Sequence, residues 1–130
     1  MKKYSAFVIT LLLFHLFPCE LRSQDRDTLT RIENAWSSEN AAVMASFFRG
    51  DSKTYIKLDS RGGYYSREQA RGVIRKYFES RSITGLAFQN SETSTQIRSA
   101  EEKADGKVRK LRFTFVRVSG KYYISVIRAQ

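Results

Sequence analysis

The sequence predicts an α+β domain in which a curved antiparallel sheet packs on N-terminal helices and one inserted helix. Three observations carry this reading. Apolar residues recur at helical spacing over 25–36, 43–48 and 70–78; they alternate with period two over 53–59 and across 108–128; and two helical runs precede the first strand while one follows it. No internal repeat, linker or low-complexity tract interrupts the chain.

Taken in order, Asp25 to Trp36 reads as the first helix, with Asp25 or Asp27 as N-cap and Leu29, Ile32 and Trp36 on one face. Ser37-Ser38-Glu39 breaks the pattern. Asn40 then caps a second helix carrying Val43, Met44, Phe47 and Phe48, which Gly50 ends. From Lys53 to Asp59 the chain alternates, with Thr54, Ile56 and Leu58 facing one way and Tyr55, Lys57 and Asp59 the other, as in a half-buried strand. Ser60-Arg61-Gly62-Gly63 turns the chain. Ser66 with Gln69 makes a capping box, and Ala70, Val73, Ile74, Tyr77 and Phe78 give the third helix its apolar face.

The remainder is strand-like: Leu86 to Phe88, a polar stretch to Ile97, Val108 to Val118, and Lys121 to Arg128 after the two-residue turn Ser119-Gly120. Asp105-Gly106 marks another turn. Ser99 to Gly106, with Glu101, Glu102, Lys103 and Asp105, reads as a solvated loop tip between strands. Pairing Val118 with Lys121 sets Phe115 opposite Ile124 and Phe113 opposite Val126, and carries Arg128 to the inward face opposite Leu111.

The first residues read as an export signal. Lys2 and Lys3 precede an apolar run from Ala6 to Phe17, and Leu21-Arg22-Ser23 offers a cut ahead of Gln24. This gives a signal peptide over 1–23 and a single domain over 24–130, exported to the periplasm or secreted. The run is shorter than the roughly 20 residues that span a bilayer, so the mature chain is expected to hold no transmembrane segment. Leu16-Phe17-Pro18-Cys19 offers a second route, lipidation at Cys19, although Pro stands where such motifs carry a small residue.

The cut removes the one Cys (Cys19), the one His (His15) and the one Pro (Pro18). Thiolate, imidazole and disulfide chemistry leave with them, and the domain is held by its core alone. Without Cys or His, and without an Asp-rich loop of calcium-binding spacing, no metal site and no cofactor site are expected. Of 23 basic and 13 acidic residues, Lys2, Lys3, Arg22 and Glu20 lie in the signal, so the mature domain keeps a net charge of +8. That field favours anionic partners such as acidic lipid, polysaccharide or acidic protein. Nucleic acid is not expected, because no binding motif accompanies the charge and export argues against it.

Gly63-Tyr64-Tyr65-Ser66-Arg67-Glu68-Gln69-Ala70, continuing through Val73-Ile74-Arg75-Lys76-Tyr77-Phe78, resembles the turn-to-helix signature of a bacterial exported family, domain of unknown function 4783. Asn40-Ala41 leading to Phe47-Phe48, and Gly120-Lys121-Tyr122-Tyr123-Ile124 with Ile127-Arg128, agree with its second helix and final strand. The resemblance covers about residues 28–130. It implies a nuclear transport factor 2-like, or cystatin-like, cone of curved sheet around helices. The superfamily includes isomerases, dehydratases and pure binding modules, so the resemblance implies no single activity. The stretch from Gln89 to Gly106 and the short hairpin at Ser119-Gly120 depart from the family pattern.

Enzymes of that superfamily often place a carboxylate inside the cone. Here the inward positions of the last two strands carry none, which leaves Glu92, Asp59, Glu33 and Glu39 on loops, strand ends and helix surfaces. No catalytic residue is assigned, and a non-catalytic ligand-binding or assembly module is expected. The alternatives are a small isomerase or dehydratase using a cone carboxylate, and a binder of anionic envelope surfaces. Arg128 beside Trp36, Tyr77 and Tyr122 makes a candidate pocket, since aromatic walls with one cation suit a small anionic or carbonyl ligand. Arg67, Arg71 and Arg75 form a candidate basic stripe at four-residue spacing on the third helix. Outward-facing Lys110, Arg112 and Tyr123 are candidates for a homodimer interface through the sheet face.

Overall fold

A computed structural model of the chain describes residues 26–89 and 96–130. The expected signal segment, the Asp25 cap and Glu92 lie outside them. The chain divides into two units, residues 1–30 and 31–130; within the first the described residues 26–30 are helical, and the second is described below.

Helix α1 (residues 26–37) presents Ile32 and Trp36, four apart and both fully buried. It ends where Glu39 adopts a left-handed φ of 56°. The Asn40 amide reaches back to the Ala35 carbonyl at 2.8 Å and the Glu39 amide to Trp36 at 3.1 Å, which closes a Schellman motif. Asn40 also opens α2 (Ala41–Ala45), its Oδ1 accepting from the Val43 amide at 3.1 Å. This helix is shorter than the apolar spacing suggests. Residues 46–48 continue as turns that still bury Phe47 and Phe48.

Helix α3 (Arg67–Glu79) begins with the expected capping box, the Ser66 hydroxyl accepting from the Gln69 amide and the Gln69 side chain accepting from the Ser66 amide. Its buried face is Ala70, Ile74, Tyr77 and Phe78. Each of the three large side chains contributes roughly 1.5–3 kcal/mol by burial.

Six strands, β1 (Thr54–Lys57), β2 (Gly63–Tyr65), β3 (Ile83–Phe88), β4 (Ile97–Ala104), β5 (Lys107–Val118) and β6 (Lys121–Ala129), form one sheet in the order β2-β1-β6-β5-β4-β3. The sheet is mixed, where an antiparallel one was expected: β1 runs parallel to β6, and every other pairing is antiparallel. A parallel pair needs a long crossover, and here everything from β2 to β5 lies between the two partners.

The stretch read as a solvated loop tip is strand β4. Only Asp105 and Gly106 turn, with φ of 54° and 73°, the positive pair of a type I′ hairpin. Ser119 and Gly120, at 52° and 80°, close the next hairpin in the same way.

The register of β5 on β6 begins as expected, with Val118 opposite Lys121 and Phe115 opposite Ile124, and then shifts by one residue. Phe113 meets Ile127, Thr114 meets Val126, and Ser125 is the extra residue of a β-bulge. The bulge has a structural purpose. It releases Ile124, whose amide donates to the Phe47 carbonyl at 2.8 Å and whose carbonyl accepts from Thr54 Oγ1 at 3.4 Å, tying the end of α2 and the start of β1 to the sheet. One inserted residue inverts every later side chain. Ile127 therefore takes the core position expected for Val126, and Arg128 lies opposite Arg112 on the outward face instead of opposite Leu111.

Strand β3 is one edge of the sheet, and its free amides are covered by side chains of α1 and the residue that ends it. Glu33, Ser37 and Glu39 accept from the amides of Phe88, Leu86 and Ile83 at 2.9, 3.1 and 3.2 Å. Two of the carboxylates considered as candidate bases are thus edge-strand caps.

Candidate functional site

A buried polar chain runs through the helix-facing side of the sheet. Alternation along β4 puts Ala100, Glu102 and Ala104 inward, and Glu102 is fully buried. A buried carboxylate is costly unless donors meet it, and two do. Trp36 Nε1 of α1 donates to Glu102 Oε2 at 2.6 Å, and the Tyr77 hydroxyl of α3 donates to Oε1 at 2.7 Å. The first is short for an N–H donor, and the second sits at the short side of the usual O–H length.

Arg109, across from Glu102 on β5, extends the chain: its Nη1 donates to the Tyr77 oxygen at 3.3 Å and its Nη2 to the Leu58 carbonyl. Each hydroxyl and carboxylate oxygen in the chain has a donor. Burial, followed by the hydrogen bond and charge of Glu102, raises the Tyr77 phenol pKa well above its ordinary value, with Arg81 and Arg109 opposing. The Arg81 guanidinium lies over the Tyr77 ring, 4.6 Å from its centroid. Trp36 is locked by edge-on contacts to Phe78 and Phe113, with centroids 5.1 and 5.7 Å away.

Two cavities flank this chain. A cleft of about 480 Å³ opens beside α3, with Ile56, Leu58, Val73 and Tyr77 as its apolar wall and Asp59, Arg61 and Lys76 among its polar residues. A chamber of about 270 Å³ is lined by Arg81, Glu102, Lys107 and Arg109. Arg109, bonded to Leu58 and Tyr77 of the cleft while lining the chamber, stands between them.

The four residues expected to share a pocket are divided. Trp36 and Tyr77 are together, with ring centroids 5.8 Å apart, both on Glu102. Tyr122 lies farther along the same sheet face, under the Arg117 guanidinium at 5.5 Å. Arg128 is exposed on the opposite face, 5.6 Å over the Tyr55 ring, because of the Ser125 bulge. Arg67, Arg71 and Arg75 are all exposed on α3, but Arg67 packs over Gly50 and Arg75 faces Glu79 at 4.0 Å.

Glu102 and Arg109 are the residues that sequence reasoning missed. The signal was present: a Gly-containing two-residue turn with a long strand after it requires a strand before it, and Ala100-x-Glu102-x-Ala104 is the alternating set that this strand turns inward. Among the described residues no group of three His, Cys, Asp or Glu side chains is placed to hold a metal ion, and no helix is long and apolar enough to cross a membrane.

Comparison with known proteins gives a family and a fold. The family model described as domain of unknown function (DUF4783) matches residues 29–129. A crystal structure of a DUF4783 family protein from Bacteroides fragilis YCH46 is similar at 18% identity and a TM-score of 0.66, over 76% of this chain and 93% of that one. One from Bacteroides uniformis gives 13% identity and a TM-score of 0.67, over 78% and 94%. An NTF-2 like protein of unknown function from Silicibacter pomeroyi DSS-3 gives 13% identity and 0.57, over 87% and 98%. No curated protein matches the chain.

Proposed function

We propose that this chain, which belongs to the DUF4783 family and has the nuclear transport factor 2-like fold, works as a non-catalytic binding module. One observation carries the reading: both oxygens of the buried carboxylate are occupied by Trp36 and Tyr77. A general base must reach the proton it takes, and Glu102 is fully buried with each oxygen held by a fixed donor. Its role is to hold α1 and α3 on β4.

The ligand site is the cleft beside α3. Its wall of Ile56, Leu58, Val73 and Tyr77 suits an apolar body, and Arg61 and Lys76 suit an anionic or carbonyl head group. Native mass spectrometry of protein recovered from its own source tests this. A retained small molecule that is lost from Lys76→Glu and Arg61→Glu variants supports the cleft; a bare mass, or a ligand held equally by both variants, sinks it. Turnover of a keto or hydroxy substrate, abolished by Asp59→Asn in the cleft lining, would instead favour the isomerase-type alternative.

The module acts outside the cytoplasm, with residues 1–23 as its export signal; Lys2, Lys3 and the apolar run from Ala6 to Phe17 support this. The same spectrum reads it out. A mass starting at Gln24 supports cleavage there, and an acylated Cys19 points to the lipid-anchored route.

A further inference from the structure

The outward face of the sheet carries a charge pattern that the cleft does not use. Two rows of residues cross the strands side by side. In the first, register aligns Tyr64, Tyr55, Val126, Thr114 and Ile97. Tyr64 is 70% exposed and Ile97 43%, and the rings of Tyr55 and Tyr64 pack 5.0 Å apart. The adjacent row aligns Lys57, Arg128, Arg112 and Ser99. Neighbouring strands lie about 4.8 Å apart, so three cations occupy about 10 Å of surface.

Alternation adds Lys103, Lys110 and Lys121 to this face, making six cations among its described residues against one carboxylate, Glu101, which sits opposite Lys110. The Arg112 guanidinium donates to the neutral carboxamide oxygen of Gln130, and among the described residues no carboxylate forms an ion pair with it.

We propose that this face docks on an anionic phospholipid surface. Charge decides against a second copy of the chain, since a two-fold contact would set six cations against the same six with one carboxylate on each side. Shape decides against a single-stranded polymer. Such chains are tracked by a basic groove, whereas these cations spread in two dimensions over four strands, and the cleft and chamber are lined by other residues. A field of Lys and Arg beside the exposed Tyr64 and Ile97 matches a headgroup layer, where phosphates meet the cations and an amphipathic ring settles at the interface.

The test is sedimentation of the mature chain with phosphatidylglycerol vesicles and with phosphatidylcholine vesicles at low salt. Binding to the first and not the second is expected, and Arg112→Gln with Arg128→Gln should weaken it about 30-fold. Thermal melts of the variants confirm folding. Arg67→Gln with Arg71→Gln on α3 should leave binding within about twofold, because those cations lie off the sheet. No binding to phosphatidylglycerol, equal loss from the α3 pair, or a dimer whose formation the sheet-face pair abolishes would overturn the proposal. So would tighter binding to a single-stranded oligonucleotide than to the vesicles.

Discussion

Glu102 is a fully buried carboxylate with two donors, and its energetics follow from what remains when it is removed. Glu102→Ala leaves the Trp36 indole N–H and the Tyr77 hydroxyl without their acceptors. Each unmet buried donor costs about 1–3 kcal/mol, so urea unfolding should show a loss of about 2–6 kcal/mol. Glu102→Gln keeps one acceptor and should cost less, about 1–3 kcal/mol. Equal losses would mean that the second oxygen contributes nothing.

Tyr77 adds a pH dependence whose sign is fixed by its raised pKa. Above about pH 10 an unfolded tyrosine releases its proton while the buried phenol keeps it, so the folded state binds more protons. The contribution of Tyr77 is therefore fully present below pH 10 and declines as pH rises beyond it. Wild type should lose stability more steeply than Tyr77→Phe over that range. Parallel curves would show that the phenol titrates alike in both states.

At the level of elements, β3 is an edge strand whose exposed amides are met by Glu33, Ser37 and Glu39. Removing such caps should act locally. Glu33→Ala with Ser37→Ala should speed hydrogen exchange at the Phe88 and Leu86 amides and cost about 1 kcal/mol per lost bond, and the bared edge should raise the tendency to aggregate. Unchanged exchange at those amides would show that water replaces the caps at no cost.

The same scale shows what the sequence made legible. Ser66 with Gln69, the apolar face of α3, the alternation of β1 and the Ser119-Gly120 turn all rest on local rules, and all are found where those rules put them. The bulge at Ser125 rests on a tertiary need, the bonds from Ile124 to Phe47 and Thr54, which no local pattern announces. That one residue sends Arg128 to the outward face. Strand β4 was hidden because charges at Glu101, Glu102 and Lys103 masked its alternation, and with it went the buried carboxylate. Trp36 and Tyr77 were found as aromatic neighbours, but the partner that joins them was not.

Across the whole molecule, charge couples stability to surface chemistry. Residues 24–130 carry 20 basic and 12 acidic side chains, and among the described residues Arg49 pairs with Asp51 and Arg75 with Glu79. Self-repulsion of this kind opposes folding. Chloride screens it, with a Debye length falling from about 30 Å at 0.01 M to about 3 Å at 1 M. The melting temperature should therefore rise with added salt, by about 4–8 °C if screening recovers about 1 kcal/mol in a domain of this size. Adhesion of the sheet face to acidic vesicles draws on the same excess of cations and should fall over the same range. Thermal melts and vesicle sedimentation across one salt series read both slopes. Opposite signs are what a shared charge field requires; a melting temperature that falls with salt would mean that attractive pairs outweigh the repulsion and that the sheet-face cations are less free than their neighbours indicate.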